Sequence, residues 1–196
     1  EIVASLAVAT RAVVDAVDVP VGVQVLAGAN REAISVAHAA GADFIRAEGF
    51  AYASVADEGI FAEADAGPLL RFRRTIGAEH IASWADVRKK HSAHALTADL
   101  SMADLVSGTH FAGADAIIIT GAHTGSPASE TDIDAARAAS PLPVMVGSGV
   151  TSESLPDLRN RADGVIVGSA LKIDGHWENE LDPERIRRVI EAWNAG

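Results

Sequence analysis

Residues 115–121 read DAIIITG, three consecutive isoleucines with no polar residue between them. A strand with one wet face alternates apolar and polar residues, so an unbroken apolar run marks a strand covered on both faces, as in a parallel sheet. Five other short segments are read likewise, as runs nearly continuous in Val and Ile rather than alternating: residues 19–26 (VPVGVQVL), 43–48 (DFIRAE), 80–87 (HIASWADV), 143–147 and 164–168. Parallel strands need long crossovers, and the segments between these runs carry helical periodicity. The pattern is therefore α/β.

The helical segments are punctuated as helices should be. Ala33, Val36, Ala37 and Ala40 fall on one face, with Asn30 as the predicted N-cap and Gly41 just past the end. Leu69, Phe72 and Ile76 form a stripe before Gly77, and Met102, Leu105, Val106 and Thr109 form another before Gly113. Near the C-terminus Asp182 is placed to cap, Pro183 suits the first helical position, and Ile186, Val189, Ile190 and Trp193 share a face. The phrase Gly-Ala-Asp or Ala-Asp precedes three of the strands, at Asp43, Asp115 and Asp163, as a repeated helix-to-strand turn.

Six strands suit either a (β/α)8 TIM-type barrel or an open doubly wound sheet. The second is disfavoured because no glycine-rich dinucleotide fingerprint follows the first strand. The chain opens within a helical pattern (Ile2, Leu6, Ala9, Val13) with no strand before it. We read residues 1–196 as one partial barrel domain whose first two βα units are not in this chain.

Composition narrows the chemistry. Cysteine is absent, which excludes a disulfide scaffold, a thiolate zinc site and a cysteine nucleophile and fits a reducing, cytoplasmic setting. Twenty-seven acidic residues against 16 Lys plus Arg give a net charge of −11, the wrong sign for a general nucleic-acid binder. No apolar run approaches the ~18 residues of a membrane span, and no secretory signal is visible.

Barrel active sites lie at the C-terminal ends of the strands, with phosphate often held by the loops after the last two. Here those strands end in Gly147-Ser148-Gly149 and Gly168-Ser169. Bare turns let backbone N–H groups approach an anion, the two serines add hydroxyls, and the following helix N-termini are expected to add favourable partial charge. Asp86, Lys90 and His91, at and beyond the third strand, are the candidate catalytic set: a base, an electrophile or Schiff-base amine, and a proton shuttle. His94 is assigned to the surface. Arg46 and Glu48, two apart on one strand, are expected to pair, with Gln24 as a neutral lumen group. Thr120, His123 and Thr124 are candidate substrate contacts in TGAHTGSP, and Asp57-Glu58-Gly59 lies in a long segment, residues 49–67, expected to act as a lid. No spacing convincingly suggests a metal site, and no cofactor is indicated.

Taken together, the stretches DVPVGVQVLAGANREAISVAHAAGADFIR, DEGI, LLRFRRTIGAEHI, ADVRKKHS, ADAIIITGAHTGSP, PVMVGSGVTSESL, ADGVIVGSALKIDGHWEN and DPERIRRVIEAW resemble the BtpA/SgcQ family of barrel proteins, named for a member linked to photosystem I biogenesis. The chain departs from the family pattern at Gln24 and at Glu48-Gly49. The resemblance implies a TIM barrel and names no reaction. Two functional expectations stand beside it. One is an enzyme, a lyase, isomerase or transferase, acting on a small phosphorylated metabolite by acid–base or carbonyl chemistry. The other is a non-catalytic assembly factor for a membrane protein complex. A homo-oligomer is expected in either case.

Overall fold

A computed structural model describes residues 1–195. The elements follow in the order α1 (Ile2–Ala16), β1 (Gly22–Val23), α2 (Asn30–Ala40), β2 (Phe44–Ala47), β3 (Ser54–Ala56), β4 (Gly59–Phe61), α3 (Ala66–Thr75), β5 (Ala82–Asp86), β6 (Ser92–Ala93), α4 (Met102–Phe111), β7 (Ala116–Thr120), α5 (Glu130–Ala139), β8 (Val144–Gly147), α6 (Leu155–Leu158), β9 (Gly164–Ile166) and α7 (Pro183–Asn194). Six strands form one sheet in the sequential order β1-β2-β5-β7-β8-β9, every neighbouring pair parallel. The sheet is open between β1 and β9. It is a partial TIM barrel, as the alternation of apolar runs and helices predicts.

The strands are double-faced for different reasons on their two sides. Ile45, Ala47, Ala85, Ile117, Ile119, Val144 and Val146 point outward beneath the helices and are almost fully buried. Burying each Ile or Val contributes on the order of 1.5–3 kcal/mol, so this layer carries the fold. The inner face is half-buried, because the curved sheet does not close over it. There Phe44 stacks on Trp84 with ring centroids 3.8 Å apart, and Gly22 leaves the room: a Cβ at that position would sit 2.1 Å from the Phe44 ring.

The repeated Asp before the strands has a specific job. Asp43, Asp115 and Asp163 each donate a backbone N–H to the carbonyl of Val21, Ser83 and Val144 respectively. Each then accepts, through Oδ2, the N–H of that same residue, at 2.8, 2.7 and 2.8 Å. The carboxylate thus extends the ladder past its last strand-to-strand bond and satisfies an N–H that has no partner in the strand beside it. Gly41 closes α2 in the left-handed conformation, and Asp182 caps α7 by accepting from the Glu184 and Arg185 amides, both as predicted.

Three expectations need correction, and one long segment has structure that its sequence did not announce. Asn30 does not cap α2; it is the first helical residue. Its side chain instead donates to the Glu48 carbonyl at 2.7 Å and to Asp65 at 2.8 Å, tying the helix start to the loop beyond β2. Helix α1 turns Leu6, Ala7, Thr10 and Val14 inward, Thr10 buried and the others half-buried, so of the expected stripe only Leu6 is covered while Ile2, Ala9 and Val13 are exposed. Ile2 is 63% exposed. Residues 49–67 carry secondary structure of their own. They contain the hairpin β3–β4, and β3 also pairs with β6, making a separate antiparallel sheet in the order β4-β3-β6. Finally, the helices after the two Gly-Ser turns are a four-residue α6 and a 3₁₀ turn at Ser169–Leu171. So few aligned peptides supply little macrodipole, leaving the N–H groups themselves as the donors.

No helix among the described residues is long and apolar enough to cross a membrane.

Candidate functional site

A cavity of about 470 Å³ opens at the C-terminal ends of the strands. Ser148 and Gly149 from the turn after β8, and Gly168 and Ser169 from the turn after β9, line it together. Among the described residues, the backbone N–H groups of these four donate to nothing in the chain. Four cations, Arg46, Lys90, Arg185 and Arg188, also line the cavity, against one carboxylate, Glu153. The excess of positive charge is notable in a chain of net charge −11.

The turns differ in what their glycines do. Gly149 has φ +65°, and a Cβ there would lie 2.5 Å from the Pro127 nitrogen, so the residue is bare to let the loop after β7 pack against it. At Gly168 a Cβ would meet nothing within 4 Å. Gly147 sits one step down the strand, facing Thr120, Ile166 and Ile118, and is not on the cavity surface.

Behind the cavity wall Arg46 grips Asp86: Nε donates to Oδ1 at 3.1 Å and Nη2 to Oδ2 at 3.1 Å. The Asp86 side chain has no exposed surface while that of Arg46 keeps 17%, so the guanidinium faces the cavity and the carboxylate is covered. Burial pushes the Asp86 carboxyl up to about 6, only partly offset by Arg46. Arg46 therefore pairs with Asp86, not with Glu48 as its spacing suggested. Glu48 turns away, accepting from Gln24 Nε2 and from the Gly28 amide, both at 3.1 Å. Gln24 lines the open lumen beside Arg46 rather than the cavity.

Lys90 reaches the cavity and donates to Thr124 Oγ1 at 3.3 Å. Burial, then the neighbouring Arg46, lowers its pKa. Thr124 Oγ1 in turn lies 3.0 Å from His91 Nε2, and the Thr124 amide donates to the same nitrogen at 3.3 Å. An accepting Nε2 places the neutral imidazole's proton on Nδ1, which faces Asp57 Oδ2 at 3.9 Å. His91 stands behind Thr124 and holds it, without lining the cavity itself. His123 is exposed, its ring 5.5 Å from that of His91. Thr120 Oγ1 is committed to the Arg88 carbonyl at 2.9 Å. His94, assigned to the surface, is instead half-buried with Nε2 3.1 Å from the Lys89 carbonyl. Its pKa is lowered by that burial.

Three residues escaped the sequence reading. Lys89 reads as part of a basic run, yet its side chain is only 5% exposed; it donates to Glu58 Oε2 at 2.9 Å and stands 4.0 Å from Glu48. The signal was the pair of carboxylates, of which buried Glu48 needs a counter-charge. Arg185 and Arg188 come to the cavity on α7. Their i, i+3 spacing puts them on one helix face, which was legible, but where that face points was not.

The architecture and the cavity at its strand ends are those of a TIM-barrel protein. The chain belongs to the BtpA family, whose profile matches residues 1–195. A Caenorhabditis elegans relative, named as an uncharacterized mitochondrial protein, is 43% identical over 99% of this chain and 71% of its own length. The photosystem I biogenesis protein BtpA of Synechocystis is 38% identical over 90% of this chain and 61% of its own length. Among solved structures, N-(5'-phosphoribosyl)anthranilate isomerase from Pyrococcus furiosus superposes with a TM-score of 0.66 at 14% identity, covering 97% of this chain and 81% of that one. A 3-hexulose-6-phosphate synthase gives 0.65 at 17% identity, covering 95% and 80%. At these identities the structural likeness establishes the fold alone.

Proposed function

We propose that this protein binds a small phosphorylated metabolite in the cavity at its strand ends and acts on it by acid–base or carbonyl chemistry. The observation that carries the reading is the set of N–H groups on Ser148, Gly149, Gly168 and Ser169, which line one cavity and donate to nothing in the chain. A phosphate would accept from them, and Arg185 and Arg188 would balance its charge. Hydrogen bonds to a charged group contribute roughly 1.5–3 kcal/mol each. The names of the two structural neighbours above each contain that of a phosphate-bearing compound, which supports this reading.

At the other end of the cavity Lys90 is the group placed to touch substrate. Its lowered pKa makes the ammonium easier to deprotonate than that of an ordinary lysine, which suits proton transfer with a substrate oxygen or, once deprotonated, addition to a carbonyl. Asp86 does not reach the cavity and acts through Arg46, fixing the guanidinium that would polarise a substrate oxygen. His91 acts through Thr124 in the same way. The chemistry is that of a lyase, isomerase or transferase. The printed name of the Synechocystis relative favours a second reading, ligand binding without turnover in an assembly factor.

The test is calorimetric titration of the chain and of Gly168→Asp with inorganic phosphate and phosphorylated metabolites. The variant places a carboxylate in open space at the cavity rim, so it should fold and bind at least about tenfold more weakly, like charges repelling strongly in a poorly solvated site. Equal affinity in the two folded proteins overturns the phosphate site. Binding with no turnover of any metabolite supports the second reading.

A further inference from the structure

The cavity has a second cationic wall. Arg46 and Lys90 come from the ends of β2 and β5, while the Gly-Ser turns follow β8 and β9. In the sheet β5 lies two strands from β8 and β2 lies three, so Arg46 and the Gly-Ser turns reach the cavity from different sides. A phosphate resting on the turns after β8 and β9 leaves the cations from β2 and the loop after β5 to receive an anion of their own.

The second wall is ordered in charge. Three carboxylates, Asp86, Glu48 and Glu58, lie around it, and none of them lines the cavity. Asp86 is held by Arg46, and Glu58 by Lys89, with Glu48 also beside Lys89. What reaches the cavity is the Lys90 ammonium and the Arg46 guanidinium, whose Nη1 makes no hydrogen bond among the described residues. The two cations sit close enough for Arg46 to depress the Lys90 pKa. A ligand anion between them would relieve that repulsion.

Building on the phosphate site proposed above, we infer that the ligand carries a second anionic group, a carboxylate, received by Arg46 and Lys90 while its phosphate rests on the Gly-Ser turns. The substrate class is then a small phosphorylated carboxylic acid. A carboxylate offers two acceptor oxygens and a full negative charge to Nη1 and Nζ, where a hydroxyl offers one neutral oxygen. The net charge of the chain works against non-specific gain from the added negative charge.

Glycerol 3-phosphate and 3-phosphoglycerate separate the possibilities, since they share a three-carbon skeleton and differ by one hydroxymethyl against one carboxylate. Titrated into the chain, 3-phosphoglycerate should bind at least about tenfold tighter. In Lys90→Met, checked for folding by circular dichroism, that ratio should fall towards one. Equal affinities for the two compounds in the wild-type chain overturn the second subsite and leave the phosphate site standing. A preference that survives intact in Lys90→Met overturns the assignment to this wall. Failure of both compounds and of inorganic phosphate to bind overturns the phosphate site and this inference with it.

Discussion

Arg46 and Asp86 lie 40 residues apart in the chain and meet at two hydrogen bonds of 3.1 Å, Asp86 sealed beneath and Arg46 turned to the cavity. The pair converts a carboxylate that cannot reach the cavity into a fixed orientation for a cation that does. It also leaves a buried acid whose pKa, about 6, lies well above that of an ordinary aspartate.

That displacement has a pH signature. A carboxyl with a raised folded pKa binds more protons folded than unfolded, so its contribution favours the folded state in acid. The advantage is lost as pH rises from about 4 to about 6 and is constant above. The contribution is on the order of 3 kcal/mol. Asp86→Asn cannot titrate, so the difference in unfolding free energy between it and the wild-type chain should change across this window and be flat above it. Urea unfolding at a series of pH values measures this; a difference that is flat from pH 4 to 7 would refute it.

Asp115 accepts the N–H of fully buried Ser83 at 2.7 Å and pairs with Arg73. Asp115→Ala leaves that N–H without a partner, a cost of roughly 1–3 kcal/mol. Asp115→Asn keeps an oxygen acceptor there and should recover most of the loss. Chemical denaturation of the three proteins gives the comparison, and an Asn variant as weak as the Ala variant would point to the Arg73 ion pair instead.

Gly149 and Gly168 look alike in sequence and should respond oppositely to alanine. Gly149→Ala meets the Pro127 backbone at 2.5 Å in a left-handed conformation, so it should destabilise the chain by at least about 1 kcal/mol. Gly168→Ala enters open space and should be near neutral. Thermal melts distinguish them, and equal melting temperatures would contradict the packing described.

The Lys89–Glu58 pair fastens the β3–β4 hairpin over the end of β5, and Lys89 holds the Glu58 carboxyl down at about 2. A depressed carboxylate pKa stabilises above the ordinary value near 4.5 and loses its effect as pH falls through 2. Because Glu58 is substantially exposed, the global effect is small and the local one larger. Glu58→Gln should speed amide exchange across residues 54–61 at neutral pH with little change in the melting temperature. Unchanged exchange there would show that backbone pairing alone holds the hairpin.

What sequence by itself determined is local and periodic. Runs rich in Val and Ile announced six parallel strands, although their inner face is only half-buried. Gly41 and Asp182 announced helix ends through their backbone and capping chemistry, and the repeated Asp marked each turn into a strand. The bare Gly-Ser turns located the cavity. Tertiary structure decided everything that depends on distance in space. Arg46 has one carboxylate two residues away and another 40 residues away, and spacing along a strand cannot say which one strand curvature brings within reach. In the Lys89-Lys90 pair, one lysine is buried against glutamates from another loop and the other faces the cavity, a division set by the β4-β3-β6 sheet packed on that loop. Arg185 and Arg188 were visibly on one helix face, but only the docking of α7 against α6 and the 3₁₀ turn after β9 turned that face to the cavity. Periodicity reports which side of an element a residue occupies; what lies opposite that side is set by how the elements pack.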